Sequence, residues 1–203
     1  MSKVRENINQ ATRAVSLAAT SLTFIFLAVY DQNFRFFCYF TNWGMFFTTL
    51  YFLFAILSNF SNTKSLQFHQ FTVMWAFNWP ITLAFWGYLF PVEGSSTIIR
   101  SSITHSMPLL LTIIEFSQYQ IQLNRKYFLL PLGLLLGYLS LVLLPYTLLV
   151  EPLYTGITFD SPLSYILCGG IMVVAYALLE LLKLLKDLMH KPSQSDLKLE
   201  LLP

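Results

Sequence analysis

The chain has 203 residues, of which 56% are hydrophobic and only 11% are charged. Its mean hydropathy is +0.60. Soluble domains carry about 25% charged residues, so this composition excludes an ordinary soluble domain and indicates an integral membrane protein. The net charge of +2 says little, because in a membrane protein the placement of charge matters more than its sum. No nucleic-acid partner is predicted.

Six apolar segments are long enough to cross a bilayer, which needs roughly 20 apolar residues. In chain order the predicted helices are Ala14 to Tyr30, Phe37 to Ser58, Phe68 to Phe90, Ser101 to Gln122, Tyr127 to Val150 and Leu163 to Leu185. The connections are short, so successive helices are expected to be antiparallel neighbours. We therefore predict an all-α, polytopic membrane protein with one six-helix domain over residues 1–203. Residues 1–13 form a polar N-terminus and residues 187–203 a short polar tail.

Lys and Arg residues are distributed very unevenly between the two sides of this predicted bundle. Ten fall on the side of the termini, and they are Lys3, Arg5, Arg13, Lys64, Arg125, Lys126, Lys183, Lys186, Lys191 and Lys198. Arg35 and Arg100 are the two on the opposite side. Because positive charge is retained on the cytosolic side of membranes, both termini are predicted to be cytosolic, or on the matrix side in a mitochondrion.

The second helix carries a polar cluster near its start, although the helix has no charge. Thr41 and Asn42 are followed by Trp43 and Gly44. Lipid offers no hydrogen-bond partner to such groups, so something in the bundle is expected to face them.

The third helix contains the aromatic and polar sequence Trp75, Asn78, Trp79 and Pro80. Proline removes one backbone hydrogen bond and frees the carbonyl of Ala76, four residues back. A kink here opens a space lined by Trp and Asn, or it serves packing alone with Asn78 bonded to a neighbouring helix.

The fourth helix carries His105, and Pro108 frees the carbonyl of Thr104 one turn away. Helices 2 and 4 both start on the side opposite the termini. Thr41 and His105 each lie four residues inside their predicted helices, about 6 Å along the axis, so we expect them at matching depth. Both are close to helix N-termini, which favour developing negative charge.

A hydroxyl, an imidazole and free backbone amides are the groups that acyl transfer needs. The sequence therefore predicts that Thr41 attacks an ester and His105 takes its proton. The structural alternative is that Thr41 bonds to its own backbone and that both side chains merely hold helices 2 and 4 together. Glu115 lies about 15 Å deeper than His105 and is excluded as its partner. An assisting acid is expected from the outer loops, at Asp31, Glu93, Glu151 or Asp160.

Other polar and small residues suggest structural roles. Glu115 and Glu180 are predicted to be buried acids, neutral or hydrogen-bonded, on facing helices. Gly133 and Gly137 form a small-xxx-small motif that allows close helix packing. Three scattered histidines do not form a metal site, so no metal or cofactor is predicted.

Three sequence elements together resemble the androgen-induced membrane protein family. They are Tyr39-Phe40-Thr41-Asn42-Trp43-Gly44, Thr104-His105-Ser106-Met107 running to Ile114-Glu115-Phe116, and Glu151-Pro152-Leu153-Tyr154. The first element also resembles the related rolling stone proteins, in which Thr-Asn-Trp opens a helix, and this chain departs toward that branch at Asn42-Trp43-Gly44. The similarity covers roughly Arg13 to Lys186 in order and spacing.

The resemblance implies a threonine hydrolase that cleaves esters between a fatty acid and a hydroxy fatty acid. The family's nucleophile falls on Thr41 and its histidine on His105. The rolling stone branch is associated with cell fusion and implies no chemistry. For the hydrolase we expect a fatty-acyl ester as the partner, bound along the aromatic walls of helices 2 and 3 by Asn42, Trp43, Trp75, Asn78 and Trp79.

Two other functions fit the composition. The first is a non-catalytic subunit of a larger membrane assembly such as a respiratory complex, with other membrane subunits as partners. The second is a carrier, which needs a polar path that Asn78, Glu115 and Glu180 offer without any internal repeat. The expected location is an endomembrane or the plasma membrane, with the mitochondrial inner membrane as the alternative.

Overall fold

The computed structural model describes residues 3–30, 34–58, 64–90, 98–118, 125–154 and 157–189. These residues are helical almost throughout and include no β-strand, which confirms the predicted all-α class. Six long helical segments succeed one another within these ranges. They are α1 (Lys3–Tyr30), α2 (Phe40–Leu57), α3 (Lys64–Ala84), α4 (Ile98–Gln118), α5 (Leu129–Leu149) and α6 (Pro162–Met189).

Short turns of other helical types adjoin these segments. A 3-10 turn at Phe34–Cys38 precedes α2, and another at Arg125–Phe128 precedes α5. A π-helical turn at Phe85–Leu89 continues α3, and a second one at Leu139–Leu143 lies inside α5. Single π-helical turns are frequent at functional sites.

Four of the helices are long and apolar enough to cross a membrane. These stretches are Glu6–Val29, Phe40–Leu57, Leu129–Leu149 and Pro162–Leu185. The other two helices, α3 and α4, carry more polar residues, among them Gln67, His69 and Asn78 in α3 and His105 and Glu115 in α4. An integral membrane protein is therefore indicated.

The central helix of the bundle is α3, which contacts α2, α4, α5 and α6. Eight consecutive residues of α3, from Phe71 to Asn78, are buried, which requires neighbours on every side of a helix. The remaining helix, α1, packs against α2 and α4. This arrangement explains why α3 tolerates polar residues, because they face other helices.

A buried ion pair closes one end of the bundle. Arg13 donates from Nε and Nη2 to Oε1 of Glu115 at 2.9 and 2.6 Å, and from Nη1 to the carbonyl of Ala55 at 3.2 Å. The hydroxyl of Tyr51 donates to the same Glu115 oxygen at 2.6 Å, and Gln67 Nε2 donates to that hydroxyl at 3.3 Å. The ends of α2 and α4 thus meet the start of α3, as antiparallel neighbours do.

Two expectations for this end of the bundle are corrected. The first helix begins at Lys3, eleven residues before the predicted start, because its polar first turns bury Asn9 and Arg13 against the other helices. Arg13 is therefore part of the bundle and not a flanking charge. Glu115 is buried and hydrogen-bonded, as predicted, and the guanidinium of Arg13 also supplies the opposite charge.

A network of three helices occupies the middle of the bundle. Asn78 Nδ2 donates to the hydroxyls of Thr48 and Thr112 at 2.8 and 2.9 Å and to the carbonyl of Pro108 at 3.3 Å. Asn78 is 1% exposed. Of the two interpretations of the Pro80 region, the one in which Asn78 bonds to neighbouring helices agrees with these contacts.

The close helix contact involves a different glycine from the one expected. A Cβ atom added to Gly44 of α2 would collide with the side chain of Ile81 in α3 and lie 3.0 Å from Asn78 Oδ1. At Gly133 and Gly137 the same atom would meet nothing within 4 Å. The predicted close-packing motif in α5 is therefore wrong, and α2 approaches α3 at Gly44 instead.

Candidate active site

Thr41 lies in the first turn of α2, where the chain changes direction sharply. The 3-10 turn ends at Cys38, and Tyr39 adopts an extended conformation (φ −76°, ψ 127°) immediately before α2 begins at Phe40. The side chain of Tyr39 forms no capping hydrogen bond with the helix. The first N–H groups of an α-helix have no acceptor four residues back within the helix. Here the N–H of Phe40 donates to the oxygen of Tyr154 at 2.7 Å and that of Asn42 to the carbonyl of Tyr39 at 3.1 Å. The amide of Thr41 lies between these two.

His105 is held by the end of α3. Its ring stacks face to face on Phe85, with centroids 3.6 Å apart and planes 4° from parallel. Its backbone carbonyl accepts a hydrogen bond from the hydroxyl of Thr82. The indole Nε1 of Trp86 donates to the hydroxyl of Ser106 at 2.8 Å. The end of α3 thus holds the backbone of His105 through Thr82, and the π-helical turn that follows orients its ring through Phe85.

The two predicted catalytic side chains meet. The distance from Thr41 Oγ1 to His105 Nδ1 is 3.3 Å, within hydrogen-bonding reach for a nucleophile and its base. Both residues are half-buried. If Nδ1 accepts the Thr41 proton, Nε2 carries the proton of the neutral ring.

The route to this meeting differs from the prediction in one respect. Thr41 is the second residue of α2, closer to the helix start than expected, because residues up to Cys38 form a separate turn. His105 is seven residues beyond Ile98, the first residue of α4, so it lies about 10 Å along that helix. The N-terminus at the site is therefore that of α2 alone.

Thr41 and His105 share the wall of an apolar cavity of about 460 Å³. The rest of the wall comes from the end of α3 with its π-helical turn, from α5, from the loop after α5 and from the first half of α6. The cavity reaches the outer surface of the bundle, because its wall includes the exposed residues Leu83, Ile166 and Val174. An elongated apolar ligand fits such a space better than a polar one.

The five residues predicted to bind substrate do not line this cavity. Asn42 Nδ2 and Trp43 Nε1 donate to the carbonyls of Phe36 and Phe37, both at 2.7 Å, and so brace the turn before α2. Asn78 belongs to the central network. Trp75 and Trp79 pack on each other, with centroids 5.5 Å apart.

The cause of this difference is the direction in which helical side chains point. Pro80 lines the cavity, together with Ile81, Leu83, Ala84 and Phe85. The part of α3 that contributes to the cavity wall therefore begins just after Trp79, the last of the predicted substrate-binding residues. The aromatic residues of α2 and α3 fill the core instead. Only Phe40 and Thr41 of the described part of α2 reach the cavity.

Two tyrosines complete the site, and reasoning from residue type did not single them out. The oxygen of Tyr154, in the loop after α5, accepts the N–H of Phe40 at 2.7 Å. The hydroxyl of Tyr138, in α5, donates to the carbonyl of Cys38 at 2.8 Å. Both phenols line the cavity. The Glu-Pro-Leu-Tyr element was the signal that pointed to this loop.

Of the acids expected from the outer loops, the two that lie in the described ranges are not found at His105. Glu151 pairs with Arg35 at 2.8 Å in an exposed ion pair, and Asp160 is exposed. Asp31 and Glu93 lie outside the described residues. Within the described ranges, no three His, Cys, Asp or Glu side chains converge as a metal site requires.

Comparison with known proteins gives no match to a protein-family model, to a curated protein or to a solved structure.

Proposed function

We propose that the protein is an intramembrane hydrolase of lipid esters in which Thr41 is the nucleophile and His105 the general base. The observation that supports this most directly is the 3.3 Å contact between Thr41 Oγ1 and His105 Nδ1 in the wall of an apolar cavity. A pair that only joined two helices would not need an adjoining cavity. The substrate class, an ester of a fatty acid with a hydroxy fatty acid, follows from the resemblance to the androgen-induced family.

The reaction proceeds in two steps. In the first, His105 Nδ1 takes the Thr41 proton while Oγ1 attacks the ester carbonyl. The proton then passes from Nδ1 to the departing alkoxide, and the acyl group remains on Thr41. In the second step water attacks the acyl-threonine, His105 accepts a water proton, and the same proton returns to Oγ1 as the fatty acid leaves.

The negative charge on the carbonyl oxygen develops beside the start of α2. The amide of Thr41 belongs to the first turn, whose N–H groups have no intrahelical acceptor, and the helix dipole adds partial positive charge there. Apolar walls keep the local dielectric low, which strengthens these interactions relative to water.

Phe85 acts as a positioning residue in this scheme. Its ring lies flat on the imidazole, which limits rotation of His105 to the plane that keeps Nδ1 near Thr41. This contact stands in for the acid that orients histidine in other hydrolases.

We also propose that all six helices cross the membrane, with both termini on the cytosolic or matrix side. Support comes from the distribution of Lys and Arg and from the meeting of the ends of α2 and α4 with the start of α3. The buried polar residues of α3 and α4 account for their lower apolarity. The site then lies in the leaflet opposite the termini.

The test is turnover of the palmitoyl ester of hydroxystearic acid by purified protein in lipid nanodiscs. Thr41→Ala and His105→Ala are each expected to lower kcat by at least about 10³-fold, because nucleophile and base act as a unit. The matched control is Thr49→Ala, since Thr49 is on the same helix and bonds to its own backbone at Met45. Full turnover by Thr41→Ala contradicts the proposal.

The alternative interpretation, a non-catalytic subunit of a larger complex, predicts a different result when the same protein is purified and assayed. A stoichiometric membrane complex that shows no turnover, and that stays intact in Thr41→Ala, supports the subunit. An active protein purified alone supports the hydrolase.

A further inference from the structure

We propose that Tyr154 is a further catalytic residue, whose phenolic O–H binds the oxyanion together with the amide of Thr41. This inference rests on the proposed hydrolase function. The sequence motifs assign catalytic roles to Thr41 and His105 only. The inference adds a side chain that stabilises the oxyanion.

The position of Tyr154 beside the nucleophile is the first observation. Its oxygen lies 2.7 Å from the nitrogen of Phe40, the residue directly before Thr41. Consecutive Cα atoms are about 3.8 Å apart, so the phenol lies next to the amide of the nucleophile itself. Tyr154, Thr41 and His105 line the same cavity.

The proton of Tyr154 is the second observation. Its oxygen accepts the N–H of Phe40, so its own O–H remains as a donor. The neighbouring phenol, Tyr138, is hydrogen-bonded to Tyr154 and directs its own proton to the carbonyl of Cys38, so the Tyr138 oxygen is the acceptor of the Tyr154 proton before substrate binds. A phenolic proton rotates to suit its acceptor, and a charged oxygen makes a stronger hydrogen bond than a neutral one.

The environment keeps this donor in its protonated form. Burial raises the pKa of the Tyr154 phenol well above its ordinary value, so the group stays neutral and retains its proton at any working pH of the enzyme. The hydrogen bond from Phe40 also polarises the phenol, because bonds in a chain strengthen one another. Tyr154 is thus prepared to donate before substrate arrives.

The test is Tyr154→Phe in the full-length protein in nanodiscs. The ring, and its edge contact with Tyr39 at 6.0 Å between centroids, is preserved. Loss of one oxyanion donor is expected to lower kcat by about 10²-fold with KM little changed. The matched control is Tyr165→Phe in α6, because the phenol of Tyr165 is exposed and does not line the cavity, and this variant is expected to retain kcat.

A second measurement separates transition-state binding from packing. A long-chain alkyl fluorophosphonate reacts with the Thr41 hydroxyl through a pentacoordinate phosphorus state and loses fluoride. Its phosphonyl oxygen carries developing negative charge, as the carbonyl oxygen does in the ester transition state. In Tyr154→Phe the rate of labelling at Thr41 is expected to fall in parallel with kcat. The affinity for palmityl alcohol, which has the same chain and no carboxylate or oxyanion, is expected to stay unchanged.

The outcomes distinguish this inference from the function on which it rests. Wild-type kcat and labelling in Tyr154→Phe, together with an inactive Thr41→Ala, overturn the role of Tyr154 alone. A parallel loss of palmityl alcohol binding and thermal stability also overturns it, because that pattern indicates packing. Wild-type turnover in Thr41→Ala overturns the hydrolase itself.

Discussion

The Arg13–Glu115 pair shows how single residues determine the stability of this bundle. Both side chains are at most 2% exposed, and one carboxylate oxygen accepts from Arg13 and from Tyr51. A buried charge without its partner is costly, whereas a pair replaced by apolar groups is often tolerated. Removing either Arg13 or Glu115 alone is therefore expected to destabilise the fold, because the charge of the other stays buried and unpaired.

We predict that Arg13→Met lowers the free energy of unfolding by about 3–5 kcal/mol, because it leaves the Glu115 carboxylate buried and unpaired. The double variant Arg13→Met with Glu115→Leu is expected to recover most of this loss. Thermal unfolding in detergent measures both effects. A double variant no more stable than the single one contradicts the argument.

The matched control is the exposed pair Arg35–Glu151, whose side chains are 42% and 49% exposed. Arg35→Ala is expected to change stability by less than about 1 kcal/mol, since water and salt screen exposed pairs.

At the scale of elements, Gly44 sets the distance between α2 and α3. We predict that Gly44→Ala costs about 1–3 kcal/mol, because the added methyl collides with the buried Ile81 side chain and approaches the Asn78 amide. Asn78 is fixed by its three bonds and cannot move aside. Thermal unfolding measures the cost.

The control for this prediction is Gly133→Ala in α5, where an added Cβ meets nothing within 4 Å. Removing a helix glycine at an open position is expected to be neutral or slightly stabilising. Equal losses at Gly44 and Gly133 refute the close contact.

The glycine pair of α6 gives a test of access to the cavity. Gly170 lines the cavity and Gly169 does not, yet an added Cβ meets nothing within 4 Å at either. We predict that Gly170→Phe lowers kcat/KM by at least about tenfold, since the ring occupies the space of the ligand. Gly169→Phe, with the same change one residue away, is expected to behave as wild type. Similar kinetics in the two variants contradict use of this cavity.

The apolar runs predicted the core of every helix, but they did not predict the helix ends. A span is recognised by uniform apolarity, and the start of α1 is polar because Asn9 and Arg13 are buried inside the bundle. The π-helical turns are likewise invisible to hydropathy. Their effect is tertiary, since the turn at Phe85 places a ring on a histidine twenty residues further along the chain.

The candidate site was predictable in part, because residue types can be read from the sequence but contacts between distant residues cannot. A hydroxyl and an imidazole in apolar helices stand out as residue types, and the alternation of short-linked helices indicated which ends meet. The wall of the cavity did not stand out, because Leu, Ile and Phe are as common in the core as at a ligand. Trp75 and Trp79 were predicted to bind substrate because Trp is a rare residue type. In the structure they pack against each other.

At the scale of the whole molecule, the alternation of helix ends makes a prediction about topology. Ser2→Cys and Ser193→Cys are expected to react with an impermeant maleimide only from the cytosolic or matrix face of sealed membranes. Ser95→Cys is expected to react only from the opposite face. The three positions lie outside the described residues, and Cys38 and Cys168 are buried, so background labelling is low. Termini that react from opposite faces contradict the six-span arrangement.

Under the proposed hydrolase function, the exposed residues in the wall of the cavity have a consequence for how turnover depends on the supply of ester. For a ligand that enters from the bilayer, the rate of turnover depends on its mole fraction among the surrounding lipids. Its concentration in the buffer has no direct influence on that rate. Inert phospholipid added to the same vesicle therefore acts as a diluent and slows turnover. In the proposed reaction both products return to the bilayer from which the ester came, so their accumulation there is expected to inhibit further turnover.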